Sequence, residues 1–195
     1  TAIGVDAKDV FFSNPVKMSQ HIEQAYQAGV RNFAFDSINE LEKLAKFAPE
    51  SNVLVRAKSI VSESSQVPSE GKFGVDANQA VELMDEARKL GLRPHGIAFH
   101  VGSQMLDPIA WELSIEYCGA IMSELKNRDI TIEVLDVGGG FPVQYDDSIP
   151  AMAEYGQVIR KSVAAYLPYE VKVVCEPGRR LVAEAGEMVS TVIGV

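Results

Sequence analysis

The stretch NFAFDSINELEKLAKFAP, residues 32–49, holds an apolar strand-like run, NFAFD, followed directly by a helical pattern, INELEKLAKFAP. A strand feeding a helix is half of a βαβ unit, and the question is whether the chain repeats it. It does. Strand-like runs recur as VFFSN (10–14), VLVRA (53–57), GIAFHVG (96–102), IEVLDVG (132–138) and VKVVCEPG (171–178). Helical patterns lie between them: KMSQHIEQAYQAG, DANQAVELMDEARKLG, DPIAWELSIEYCGAIMSELKN and PAMAEYGQVIRKSVAAYL. Gly29 and Gly91 stand where helices stop. Asp76 and Asp107 stand where helices start, and Pro108 suits a first helical turn. This alternation predicts a parallel sheet. One stretch breaks the rhythm: KSIVSESSQVPSEGKFG (58–74) is Ser-rich and reads as a long loop, a form that is often functional in a compact domain. Six strands and five helices make a complete open doubly wound sheet, or six of the eight units of a βα barrel of ~250 residues. On pattern alone the open sheet is the narrower favourite.

The 195 residues suit one domain with a sizeable core, and 47% hydrophobic with 23% charged residues is the composition of a globular chain. No apolar run reaches the roughly 20 residues of a membrane helix, and the N-terminus shows no signal peptide. The first residue is Thr1 rather than Met, so it is not read as a natural start. A net charge of −9 argues against nucleic-acid and anionic-membrane partners, though not against a small anionic ligand. Cys118 and Cys175 match no metal spacing and no disulfide framework, so no metal is expected and a reducing, cytoplasmic setting is the default.

The strand runs end in polar residues: Asp36, Arg56, His100, Asp136 and Glu176. Ligands of parallel α/β folds sit at these carboxyl ends, in barrels and open sheets alike. Alternation places Ala34 with Asp36, Leu54 with Arg56, Ala98 with His100, and Val174 with Glu176 on one face. A single polar tip can simply meet water; five on one rim point to a site. In VGGGFP (137–142) three glycines let the backbone approach a ligand and turn N–H groups toward an anion, or make no more than a flexible turn. The spacing fits neither GxxxxGK[ST] nor GxGxxG. In EPGRR (176–180) a tight turn places Arg179 on the same rim, where an arginine can grip a phosphate through two parallel hydrogen bonds, or only face solvent. His100 offers a flat ring that can stack on another ring. His21 and His95 read as helix surface and loop, and Trp111 and Cys118 as core. Lys17, at the end of FFSNPVK (11–17), raises a further question, because a lysine ending a strand is a candidate catalytic amine.

Six motifs occur in order: FFSNPVK, FAFDS, KFG, FHVGS, LDVGGGFP and CEPGRRLVAEAG. Together, over essentially the whole chain, they resemble the ornithine decarboxylase family, pyridoxal-phosphate enzymes of the alanine-racemase-like barrel type. Its relatives include lysine, arginine and diaminopimelate decarboxylases. NPVK and GGGFP resemble the ornithine and lysine branch most. The resemblance implies a pyridoxal-phosphate-binding (β/α)8 barrel, with this chain covering about strands 3 to 8. Residues 1–186 would be a partial barrel, and 187–195 the start of a C-terminal β domain that carries further catalytic residues, including a cysteine.

The implied activity is decarboxylation of ornithine or lysine to a diamine, such as the putrescine of polyamine biosynthesis. This segment alone would be inactive. Arginine or diaminopimelate decarboxylation is the alternative, and a non-catalytic regulatory homologue a further one. In the family the lysine joined to the cofactor ends an earlier strand, so Lys17 matches a non-catalytic position at the start of a helix near the rim. Glu176 matches the glutamate that pairs with the pyridine nitrogen, and His100 the histidine stacked on the ring; these two are the implied catalytic residues. Ser103, Gly138, Gly139, Gly140, Gly178 and Arg179 match phosphate-binding positions, and Arg56 the network around pyridoxal 5'-phosphate. Asp36 and Lys72 match positions at the interface of a cytoplasmic homodimer with shared active sites.

Overall fold

The computed structural model describes residues 4–59, 65–67, 72–145 and 149–192. Six strands form one sheet: β1 (Phe11–Phe12), β2 (Asn32–Phe35), β3 (Asn52–Arg56), β5 (Arg93–Ala98), β7 (Val134–Asp136) and β8 (Lys172–Val174). Two short strands, β4 (Ser65–Val67) and β6 (Ser103–Met105), stand apart from it as a ribbon. Every neighbouring pair in the main sheet is parallel, and the order across the sheet is the order along the chain. Between its strands run α1 (Ser19–Gln27), α2 (Ile38–Phe47), α3 (Ala77–Lys89), α4 (Ile109–Asn127) and α5 (Met152–Tyr166), and α6 (Gly178–Val182) follows β8.

This order corrects the open-sheet preference drawn from pattern alone. A doubly wound sheet must reverse its winding direction so that helices cover both faces. Here no reversal occurs. Right-handed crossovers that always advance the same way put every helix on one face. The sheet curls, as part of a (β/α)8 barrel, with that face outward.

The two faces differ in residue size. Phe33, Phe35, Val53, Val55, Ile97 and Leu135 point outward into one core with Ile22, Leu41, Leu44, Met84, Trp111, Ile115 and Leu125 of the helices. Fully burying each such side chain contributes about 1.5–3 kcal/mol. Ala34, Leu54, Ala98 and Val134 are also buried but lie outside this cluster, on the inner face. At the strand starts that face is polar: Asn52 donates to the Asn32 side chain at 3.0 Å, and Asn32 donates to the carbonyls of Lys8 and Val10.

Several local signals match the structure. Asp76 caps α3 through a capping box with Gln79. Trp111 and Cys118 are fully buried, and His21 is exposed on α1. Two expectations need correction. The 58–74 stretch is not all loop, because β4 pairs antiparallel with β6. The ribbon's strands, of three residues each, are too short to leave a periodic trace. His95 lies on β5 rather than in a loop, since β5 begins at Arg93 and Pro94 interrupts its apolar pattern. Residues 187–192 run as irregular chain with Met188 and Val189 exposed, and 193–195 lie outside the described residues.

Lys17 stands just ahead of α1 with its amine turned inward. Its Nζ lies 2.9 Å from Glu40 Oε1 and donates to the carbonyls of Asn14 at 2.9 Å and Ala34 at 2.6 Å. Lys43 pairs with the same carboxylate. Burial lowers the Lys17 pKa, and Glu40 opposes that shift. The amine is a tie between the β1–α1 loop, β2 and α2, through two hydrogen bonds to carbonyls and one ion pair.

A buried pair is worth little over an apolar substitute, yet breaking it strands a charge. Glu40→Leu is therefore expected to destabilise the protein by about 3 kcal/mol, and adding Lys17→Met to recover roughly half of that. Urea unfolding midpoints of the two variants measure both effects; a double variant no better than Glu40→Leu would remove Lys17–Glu40 as the coupled unit.

Candidate functional site

Because all six strands run the same way, their carboxyl ends share one rim. Asp36 follows β2, Arg56 ends β3, His100 follows β5, Asp136 ends β7 and Glu176 follows β8. Alternation brings these side chains to the inner face, above Ala34, Leu54, Ala98 and Val134.

Arg56 is the centre of charge. Burial lowers its pKa, and Glu176, Asp136 and Asp36 oppose that, in decreasing order. An arginine stays cationic under such conditions. Asp136 is buried and its Oδ1 accepts the Gly138 N–H at 2.9 Å. Burial first, then the negative charge of Glu176, pushes Asp136 up to about 7; the Gly138 hydrogen bond and Arg56 act against the rise. A proton on Asp136 relieves its repulsion with the Glu176 carboxylate. His100 is held below its ordinary pKa by burial and then by Arg56, with Glu176 opposing. Its Nδ1 accepts the Gly102 N–H at 2.9 Å, which puts the proton of the neutral ring on Nε2.

The triple glycine is wedged between three other strand ends. A Cβ at Gly138 would overlap the Phe99 carbonyl, one at Gly139 the Glu176 carbonyl, and one at Gly140 the Gly102 carbonyl. Gly138 and Gly140 also have φ of 65° and 101°, where a side chain is strained. The glycines are therefore required by backbone packing, in addition to any approach to a ligand. The loop is locked from several sides. Glu176 N–H donates to the Gly138 carbonyl at 2.8 Å, and Met105 N–H to that of Gly140 at 2.9 Å. Beneath it Trp111 Nε1 donates to the Val137 carbonyl at 3.1 Å, and the Trp111 ring stacks on Phe141 at 4.7 Å. The amides of Gly139 and Gly140 have no hydrogen bond to the described residues.

Arg179 is exposed on α6, a short helix not expected from the sequence, and Gly178 opens it. Arg179 Nη1 donates to the Tyr145 hydroxyl at 3.1 Å, which brings the loop after the glycines to the same side. Ser103 lies on β6, next along the chain from Gly102, whose carbonyl abuts Gly140. Asp36 Oδ2 accepts the Gly74 N–H at 3.0 Å, and Lys72 is exposed in the preceding turn. Asp136 is legible in the sequence as a strand tip but without a role. The signal that finds it is the half-buried Arg56, which needs counter-charges on other strands of the sheet.

A family model described as pyridoxal-dependent decarboxylase, pyridoxal binding domain, matches residues 1–183. A lysine/ornithine decarboxylase of Selenomonas ruminantium is 34% identical over 193 residues, covering 98% of this chain and 49% of the relative. An ornithine decarboxylase of Candida albicans is 32% identical over 192 residues, covering 94% of this chain and 39% of the relative. Among solved structures, a lysine decarboxylase from Selenomonas ruminantium gives a TM-score of 0.83 at 34% identity, over 91% of this chain and 46% of the other. The arginine decarboxylase of Paramecium bursaria Chlorella virus bound to agmatine gives 0.82 at 27% identity, over 91% and 47%. The chain thus spans about half, or less, of the length of the relatives it matches.

The raised Asp136 carboxyl has a signature in stability. Its pKa moves from 3.8 to about 7 on folding, so the stability it contributes is full below 3.8 and is lost as pH rises through about 7. Asp136→Asn mimics the protonated form at every pH. Without added ligand, the variant is expected to gain on the wild type between about pH 4 and pH 7, with the difference level above that window. Paired urea titrations across pH read this directly; a constant difference would mean that Asp136 is ionised throughout.

Proposed function

The chain belongs to the pyridoxal-dependent decarboxylases, and on that premise we propose that the whole protein removes the carboxylate of ornithine or lysine to release a diamine. The observation that carries this reading is the gathering of Arg56, His100, Asp136 and Glu176 around a triple-glycine turn on one rim. The same reading makes the protein a cytoplasmic homodimer, with Asp36 and Lys72 facing the partner subunit. No helix among the described residues is long and apolar enough to cross a membrane.

The residues present fit pyridoxal 5'-phosphate. With Asp136 protonated, the charges of Glu176 and Asp36 exceed that of the half-buried Arg56 guanidinium by one, so a cationic ring nitrogen would complete the charge balance. The Gly139 and Gly140 amides are available to an anion, as is the exposed guanidinium of Arg179. When bound, the cofactor supplies a protonated pyridine ring that takes up the electron pair left as CO2 departs.

The chain's own residues prepare that ring. Glu176 would hold the proton on the pyridine nitrogen through its negative charge. Asp136, carrying a proton of its own below about pH 7, leaves the charge to Glu176 and anchors the glycine turn through Gly138. Arg56, on β3, would balance the charge of the acids carried by β7 and β8. His100 stays neutral, with its ring oriented by Gly102, and would lie flat against the cofactor. Ser103, Gly138, Gly139, Gly140, Gly178 and Arg179 would receive the phosphate. Arginine as substrate is the second reading, favoured by the likeness to a solved arginine decarboxylase. Measuring CO2 release by the whole protein from ornithine, lysine, arginine and diaminopimelate decides among them, and release from none would end the proposal.

Two variants of the whole protein test the assigned roles. Glu176→Gln is expected to lower kcat by about 10²-fold while cofactor affinity largely holds, since a preorganised charge is lost and the shape kept. Unchanged turnover would refute the role. Arg179→Ala is expected to raise the dissociation constant for pyridoxal phosphate by about tenfold, the loss of one charge-assisted contact. A titration that superposes on the wild type would exclude Arg179 from the phosphate site.

A further inference from the structure

Gln104 has a backbone φ of 55°, in the left-handed region that glycine, asparagine and aspartate occupy far more readily than glutamine. Yet it is only 5% exposed. A strained residue persists where its surroundings over-determine it. Here they do so through the side chain. Gln104 Nε2 donates to the Val143 carbonyl at 2.9 Å, and Gln104 Oε1 accepts the Val143 N–H at 2.7 Å. The amide thus pairs with the backbone of one residue as a neighbouring strand would, across 39 positions of sequence.

The bonded segments are two loops of the rim. One carries His100, Gly102 and Ser103; the other runs from Gly138 to Tyr145. Their backbones already touch, at Met105 N–H to the Gly140 carbonyl and at Gly102 against Gly140. Tyr155 adds α5 to the assembly, its hydroxyl donating to the Leu106 carbonyl at 3.0 Å. The Gln104 side chain adds two hydrogen bonds to the Met105–Gly140 backbone bond that joins the two loops.

The geometry points to Gln104 as a positioning residue of the phosphate cradle. Its side chain clamps Val143 and so sets the gap between Ser103 and the Gly138–Gly140 turn. This rests on the reading of that turn as the phosphate site. Gln104 touches no phosphate itself; it acts through the two loops that would. Its effect should therefore fall on recognition of the phosphate group and spare recognition of the ring, which belongs to Arg56, His100 and Glu176.

The test compares the apo form of the whole protein binding pyridoxal phosphate and phosphate-free pyridoxal, by equilibrium dialysis. Gln104→Gly accepts the left-handed backbone without strain and deletes the clamp. Gln104→Glu keeps an acceptor for the Val143 N–H and turns a carboxylate against the Val143 carbonyl. Each variant is expected to lower the preference for pyridoxal phosphate over pyridoxal by about tenfold, through the phosphate form alone. If Gln104→Gly does not fold, Gln104→Glu decides. A preference within about twofold of the wild type, or an equal loss of affinity for both ligands, overturns the inference. A wild type with no preference overturns the phosphate site itself, and this inference with it.

Discussion

One guanidinium organises the rim. Arg56 is half-buried and feels the charges of Asp36, Asp136 and Glu176, contributed by strands on either side of its own. Acidic groups gathered so closely would repel one another and push the strand ends apart. A cation among them, with a proton on Asp136, makes the arrangement possible. The same charge helps keep His100 neutral, so the electrostatics of four strands depend on one side chain. The inner face leaves room for it: Ala34, Leu54 and Ala98 fill the barrel below without reaching the rim.

The backbone supports this through close packing. The glycine turn passes between the carbonyls of Phe99, Glu176 and Gly102, and each of its three residues would collide if it carried a side chain. That contact fixes the spacing of the strand ends and leaves the Gly139 and Gly140 amides without a hydrogen bond to the described residues. The aromatic trio of Trp111, Phe141 and Tyr155 stands behind it, with ring centroids 4.7, 5.3 and 6.1 Å apart. Rigid side chains from α4 and α5 thus carry the stiffness of the helical layer into the loop. The chemistry sits on loops, but these loops are anchored at nearly every residue.

Much of this is legible in the sequence because it follows from short periods. Alternation by two is enough to put Asp36, Arg56, His100 and Glu176 on one face, and glycine chemistry marks Gly138 to Gly140. The choice between an open sheet and a barrel is not legible from pattern, because it depends on the order of strands, which periodicity does not encode; motif order supplies it. Three other features are hidden for a similar reason. The Lys17–Glu40 pair, the β4–β6 ribbon and the Gln104–Val143 clamp each join residues far apart in the chain by polar contacts, which leave no repeating trace. Gln104 is the sharpest case: nothing in SQM distinguishes a left-handed glutamine from an ordinary strand residue.

Strand order that equals chain order bears on how the site comes into being. Each new strand adds beside the one made just before it, so the rim grows in sequence: Asp36, then Arg56, His100, Asp136 and Glu176. Loop-closure costs stay those of a single βα unit at each step, because no strand must wait for a distant partner. During synthesis the cation of Arg56 would be in place before two of its three counter-charges emerge. Until Asp136 and Glu176 arrive, the guanidinium has Asp36 alone of these three counter-charges, and the docking of the later acids is drawn by it. Electrostatics that later serve a ligand would first serve as a register mark for the last strands of the sheet.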